Sequence, residues 1–176
     1  MNIFILNSGR CGSTTFIKAC QHITNYTSAH ESLLSHTGSE RLNYAENHIE
    51  ADNRLSWFLG RLDEAYGDNA YYVHLSRDPL ATAESFSRRI DFGILKAYEQ
   101  GILMHKTHIL SASEIAADYI KTVESNIRLF LKDKSGKMDI SLETIKTDFI
   151  KFWNNINAQG DLDKALKELD INYNAS

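Results

Sequence analysis

The chain begins with a pattern that few folds accommodate. Asn2-Ile-Phe-Ile-Leu6 is a short apolar run, unbroken after its first residue, and the small-residue segment Asn7-Ser-Gly-Arg-Cys-Gly-Ser-Thr-Thr15 follows at once. A strand apolar at every position, rather than at alternate ones, is buried on both faces. Such strands belong to parallel sheets covered by helices. The loop then runs into an expected helix from Ser13 to Ile23.

The rest of the N-terminal half repeats the alternation. Tyr26 to His30 reads as a second strand. Leu55, Phe58, Leu59, Leu62 and Tyr66 recur at helical spacing within a helix over Arg54 to Tyr66. Gly67-Asp-Asn69 turns the chain into Ala70-Tyr-Tyr-Val-His-Leu75, another buried strand. Asp78 is a good N-cap and Pro79 a good first helical residue, so a helix to about Arg89 is expected. Ile90 to Leu110 has weak periodicity, and is expected to be irregular or mobile.

Further on, Ser111-Ala-Ser-Glu114 fits a capping box. It precedes the stripe Ile115, Tyr119, Val123, Ile127 and Phe130. Lys137 to Leu142 fits a short strand. Ile145, Phe149, Phe152, Trp153 and Ile156 form an amphipathic helix, and Leu162, Ala165, Leu166 and Leu169 a last short one. The expected fold class is α/β, three-layer α/β/α with a short parallel sheet, as one domain over 1–176.

Composition narrows the function. The 176 residues are 43% hydrophobic and 24% charged, a globular mixture. No apolar run is long enough to span a membrane. The formal net charge of −4 argues against nucleic acid as a partner, because such binding rests on phosphate neutralisation. Two cysteines, Cys11 and Cys20, are too few for a disulfide framework. The seven histidines show no metal-ligand spacing, so no metal is expected. Met1 to Leu6 has no basic segment typical of a secretory signal, and the expected location is the cytoplasm.

Two loops carry the chemistry. In the first, Gly9 and Gly12 allow a tight turn and a close approach to an anion. Unpaired helix amides, the hydroxyls of Ser13, Thr14 and Thr15, and the fixed charge of Arg10 complete a phosphate-binding loop. Gly12 is followed directly by Ser13 without the lysine of a nucleotide triphosphatase loop. Position 17 is Ile rather than the arginine that a cysteine-phosphatase loop needs, so Cys11 reads as a small loop residue. The second element is Leu75-Ser-Arg-Asp-Pro-Leu-Ala-Thr-Ala-Glu-Ser-Phe-Ser-Arg-Arg89. Arg77 stands at a strand end, and Ser85 and Arg89 share a helix face.

Together the two elements resemble the sulfotransferases that use 3′-phosphoadenosine 5′-phosphosulfate (PAPS). Arg10-Cys-Gly-Ser-Thr14 is similar to the family's Arg/Lys-Ser-Gly-Thr-Thr core. Arg77 with Ser85 eight residues on matches its Arg…Ser spacing, and Arg89 falls where the protein-tyrosine branch has a further arginine. The likeness covers about residues 1 to 90. It departs from the family at Cys11, in place of serine, and at Thr15, where cytosolic members carry a tryptophan near the adenine. The C-terminal Arg-Lys-Gly string of the cytosolic branch is missing.

The resemblance implies a P-loop-like fold and transfer of a sulfuryl group to a hydroxyl or amine. Gly9, Arg10, Cys11, Gly12, Ser13, Thr14 and Thr15 would bind the 5′-phosphosulfate. Arg77, Ser85 and Arg89 would bind the 3′-phosphate. Arg10 would stabilise the leaving oxygen. Glu31 is the first candidate for the general base, with His30 beside it; adjacent strand residues face opposite ways, so only one should face the sulfur. His105 and His108, in the segment of weak periodicity, read as surface histidines or as groups that approach the acceptor, and Arg88, Lys96 and Lys106 could form a basic rim. The acceptor is left open among sugar, lipid, phenol and peptide tyrosine. Two other readings stay beside this one: a small nucleotide kinase of P-loop type, and a non-catalytic nucleotide-binding or interaction module.

Overall fold

A computed structural model describes residues 1–91, 93–104, 110–171 and 173. Five strands form one parallel sheet: β1 (Asn2–Leu6), β2 (Thr27–His30), β3 (His48–Ala51), β4 (Ala70–Ser76) and β5 (Lys137–Ser141), in the order β2-β3-β1-β4-β5. The three-layer α/β class expected from the alternating pattern is therefore what the chain forms. The central strand β1 is buried at all five positions.

Side-chain alternation along the strands divides the core in two. Ile3, Ile5, Val73 and Leu75 point to one face. There they meet Phe16 of α1 (Ser13–Cys20), Phe149 and Phe152 of α6 (Ile145–Asn155), and Ala165 of α7 (Leu162–Glu168). Phe16 makes an edge-on contact with Phe149, ring centres 5.3 Å apart. Phe4, Leu6 and Tyr72 point the other way, to α2 (Leu59–Tyr66), α3 (Pro79–Ser87), α4 (Gly93–Ala97) and α5 (Ala112–Leu131). The Ser111 capping box is formed: the Glu114 amide donates to Ser111 Oγ at 3.2 Å, and Glu114 Oε2 accepts from the Ser111 amide at 2.8 Å.

Three expectations change. The strand β3 has no counterpart in the apolar pattern, because its four residues alternate polar His48 and Glu50 with apolar Ile49 and Ala51. Glu50 on it is fully buried, its carboxylate accepting from the Ser32 amide at 2.8 Å and the Ser32 hydroxyl at 2.6 Å, and lying 2.9 Å from His48 Nε2. These partners replace the water that a buried carboxylate would otherwise need. The expected helix from Arg54 begins instead as a 3₁₀ turn, Asn53–Trp57, because the Asp52 carboxylate accepts the Arg54 amide at 2.8 Å and fixes a new start. Ile90 to Leu110 is not irregular where it is described. It holds α4 and a π-helical turn, Tyr98–Ile102. Leu95 and Tyr98 are buried, and Tyr98 donates to Asp118 of α5 at 2.6 Å.

The end of the chain closes back on its beginning. Gly160 pairs antiparallel with Ile23, and its φ is 138°. A Cβ added there would stand 2.1 Å from the His22 carbonyl oxygen. Gly160→Ala should therefore cost about 2 kcal/mol or more. Gly38, at φ 58° with open space around it, should cost about 1 kcal/mol when changed to Ala. Denaturant unfolding of both variants checks the ranking, and equal losses would show that the clash relaxes freely.

Candidate active site

In open parallel sheets, ligands gather beyond the carboxyl ends of the strands, where successive connections leave in opposite directions. Here that point lies between β1 and β4. The chain leaves β1 toward β2 on one side of the sheet and leaves β4 toward β5 on the other. The glycine loop follows β1, and Arg77 follows β4.

The loop is held from beneath. The Asn7 amide group donates to the Ile5 carbonyl at 2.9 Å, and its side-chain oxygen accepts the Gly9 amide at 2.9 Å. Ser56 donates to the Asn7 carbonyl at 3.1 Å and Tyr119 to the Ser8 carbonyl at 2.8 Å. So braced, the backbone takes left-handed conformations at Gly9 (φ 96°), Arg10 (φ 59°) and Gly12 (φ 84°). A Cβ at Gly12 would meet Leu142 at 2.7 Å. Arg10 occupies this region without being glycine, a strain that proteins keep mainly at functional sites. Gly12 is the N-cap of α1 and supplies no side-chain cap. The first amides of the helix are therefore directed out of the loop uncapped by a side chain.

The two sequence elements meet at Arg10. Its Nε donates to the Ser85 hydroxyl at 2.9 Å, and Arg77 Nη1 donates to the Arg10 carbonyl at 3.4 Å. Burial lowers the Arg10 pKa from its ordinary value, and Arg89, Arg77 and Arg88 push in the same direction. The guanidinium groups of Arg89, Arg77 and Arg88 thus lie close enough to that of Arg10 to disfavour its charge. Arg88 itself pairs with Glu84 at 3.5 Å.

On the other side of the loop the strand β2 ends. His30 Nε2 lies 3.0 Å from Ser13 Oγ and 3.5 Å from Thr14 Oγ1. Glu31 takes a left-handed conformation (φ 55°), and its carboxylate meets Arg54 Nη1 at 3.0 Å. Of the two neighbours, the structure brings His30 to the loop hydroxyls and gives Glu31 to Arg54. Thr15 is buried, and its hydroxyl donates to the Ile171 carbonyl at 3.1 Å, so its side chain serves the C-terminal segment. His105, His108 and Lys106 lie outside the described residues.

Cys11 is buried in the α1 face of the core, and burial pushes its thiol up to about 12. Burial raises the Cys20 thiol as well. Among the described residues, no group of three His, Cys, Asp or Glu side chains is placed to hold a metal ion, and no helix is long and apolar enough to cross a membrane.

Several contributors escaped the motif reading. Asn7 braces the loop, Tyr119 reaches it from a distant helix, and Arg54 holds Glu31. Only Asp52 carried a local signal, being an N-cap residue type just ahead of the helical pattern at Arg54.

No protein-family model and no curated protein sequence matches the chain. Among solved structures it is similar to the Sulfotransferase Domain from the Curacin Biosynthetic Pathway. The TM-score is 0.66 at 16% identity, over 99% of this chain and 78% of that one. The fold is thus that of a sulfotransferase domain.

The thiols yield a direct test. With a pKa near 12, Cys11 is thiolate in only about one molecule in ten thousand at pH 8. Iodoacetamide should leave both cysteines of the native chain unmodified and label both after denaturation. The unfolded thiol ionises near its ordinary 9.0 while the folded one holds its proton to about 12. This part of the stability is therefore complete below about pH 9 and is lost as the pH rises toward 12. Rapid alkylation of the native chain at pH 8 would make Cys11 an accessible, activated thiol instead.

Proposed function

We propose that the chain transfers a sulfuryl group from PAPS to a hydroxyl or amine of an acceptor. The observation that carries this reading is the convergence of Arg10, Arg77, Ser85 and Arg89, drawn from two distant segments, on one glycine loop. A single phosphate would need one such loop. A donor with separate 5′ and 3′ anions uses both elements, and the sulfotransferase fold supports the assignment.

In this reading, the loop amides with Ser13 and Thr14 hold the 5′-phosphosulfate, and Arg77, Ser85 and Arg89 hold the 3′-phosphate. The acceptor oxygen or nitrogen attacks sulfur in line. A new bond forms between it and sulfur as the bond from sulfur to the bridging oxygen breaks. The bridging oxygen leaves with the electron pair on 3′-phosphoadenosine 5′-phosphate, and Arg10 stabilises the charge that develops there. His30, beside the loop hydroxyls, takes the acceptor proton. Glu31 and Arg54, paired next to it, keep the strand end in place and border the acceptor side. Most of the rate enhancement comes from positioning and fixed charge, as in phosphoryl transfer.

Calorimetric titration tests the donor assignment. 3′-Phosphoadenosine 5′-phosphate should bind at least about tenfold more tightly than AMP, and ATP should not match it. Arg77→Ala should remove most of the bisphosphate affinity and change AMP affinity little. Equal losses for both ligands would take Arg77 away from the 3′-phosphate, and a preference for ATP would favour the kinase reading.

The base is tested separately. His30→Gln should lower turnover by about 100-fold while bisphosphate affinity stays within a few-fold. Glu31→Gln should have a smaller effect. The opposite order would return the proton to Glu31.

A further inference from the structure

The strand that delivers His30 is among the least supported in the sheet. β2 has four residues, lies at the edge, and pairs only with β3. His30 is its last residue, and the ends of short edge strands fray. Yet the His30 ring stands at a set place, 3.0 Å from Ser13 Oγ. The backbone ladder supplies one bond past the strand end, from the Glu31 amide to the Ala51 carbonyl at 3.0 Å.

Further support comes from the opposite face of the sheet. The register sets Thr27 against His48, Ala29 against Glu50 and His30 against Ala51. Side chains alternate along strands, so His30 points to the α1 face while Thr27, His48 and Glu50 point to the other. There Glu50 is fully buried, and His48 is its one ion-pair partner among the described residues. One Glu50 oxygen accepts the Ser32 amide at 2.8 Å. The other accepts the Ser32 hydroxyl at 2.6 Å and lies 2.9 Å from His48 Nε2. A carboxylate only accepts, so Nε2 is the donor. On the far side of the same ring, Nδ1 is 2.8 Å from the Thr27 hydroxyl. Glu50 thus grips β2 beyond both ends of its short ladder: directly at Ser32, and through His48 at Thr27.

A well-packed apolar residue at a buried strand position is usually at least as stabilising as an ion pair there, so the pair calls for a role beyond stability. Its geometry supplies one. Between Ser32 and His30 stands Glu31, in left-handed backbone (φ 55°). The two bonds to Ser32 hold the chain in that turn, and the turn fixes where β2 ends.

We propose that Glu50 is a positioning residue: through Ser32 and His48 it fixes the backbone of β2 so that His30 stays against the hydroxyls of Ser13 and Thr14. The consequence for turnover rests on the assignment of His30 as proton acceptor in sulfuryl transfer. Glu50 lies on the other face of the sheet from His30 and acts only through the backbone.

Two variants cut the grip. Ser32→Ala, at an exposed position, removes one bond and leaves the core untouched. Glu50→Leu removes every bond and keeps the position filled. Glu50→Gln is the conservative control, because its amide oxygen still accepts the Ser32 amide. Carbethoxylation of the full chain by diethyl pyrocarbonate, quantified for each histidine by peptide mass spectrometry, reports how His30 is held. His22, just after α1, is the internal reference, since general loosening of the fold would raise both histidines together. Relative to His22, His30 should react about threefold faster or more in Ser32→Ala and about tenfold faster or more in Glu50→Leu, with Glu50→Gln within about twofold of the natural chain. In parallel, kcat for sulfuryl transfer should fall about tenfold in Glu50→Leu while the affinity for 3′-phosphoadenosine 5′-phosphate stays within about twofold.

The proposal is overturned if the ratio of His30 to His22 labelling in Glu50→Leu equals that of the natural chain, or if the ratio rises and kcat does not fall. Should Glu50→Leu fail to fold, the same two outcomes in Ser32→Ala decide. If the ratio rises in a chain whose natural form transfers no sulfuryl group, the grip on His30 stands and the assignment of the reaction is what fails.

Discussion

The parallel pairing of β1 with β4 is the constraint on which the rest of the site depends. Leu6 lies opposite His74 in this register, so the two strands release their chains side by side. The loop that begins at Asn7 and the arginine that follows Ser76 then meet without a long side-chain reach. A register shift of one residue would turn alternate side chains to the wrong face of the sheet and uncouple Arg77 from the Arg10 carbonyl. The apolar content of β1, buried on both faces, makes such a shift costly. Hydrophobic burial in the middle of the sheet thereby positions groups that are themselves polar and strained.

That arrangement carries two local costs. Left-handed backbone at Arg10 and crowding among Arg10, Arg77, Arg88 and Arg89 both oppose folding. The opposition is met by the bonds from Ser56 and Tyr119 to the loop carbonyls and by the core packed beneath. An anion bound as proposed would offset this proximity, so ligand affinity and the internal cost of the loop would be two sides of one balance. The same logic applies less strongly at Glu31, whose left-handed backbone is steadied by Arg54.

Much of this was legible in the sequence, and the exceptions share a cause. Apolar runs identified β1 and β4 because their burial is complete along most of their length. Asp78 with Pro79 and the Ser111 box marked helix starts through local chemistry, and both are present. The glycine loop was readable because its conformation requires particular residue types. By contrast, β3 was invisible: Glu50 is a strand residue only because Ser32, eighteen positions away, satisfies its carboxylate. The helix α4 and the turn after it are ordered by α5, through Tyr98 and Asp118, rather than by their own periodicity. The side-chain directions of His30 and Glu31 were undecidable for a similar reason, since the strand ends between them and Arg54 captures the second.

The long tie between Thr15 and the Ile171 carbonyl spans 156 positions, and α7 packs against α1 over the same interval. The helix that follows the glycine loop is thus covered by a segment made more than a hundred residues after it. During synthesis, Phe16 and its neighbours keep one side open until that later segment has emerged. The loop and its cover cannot mature as a local unit.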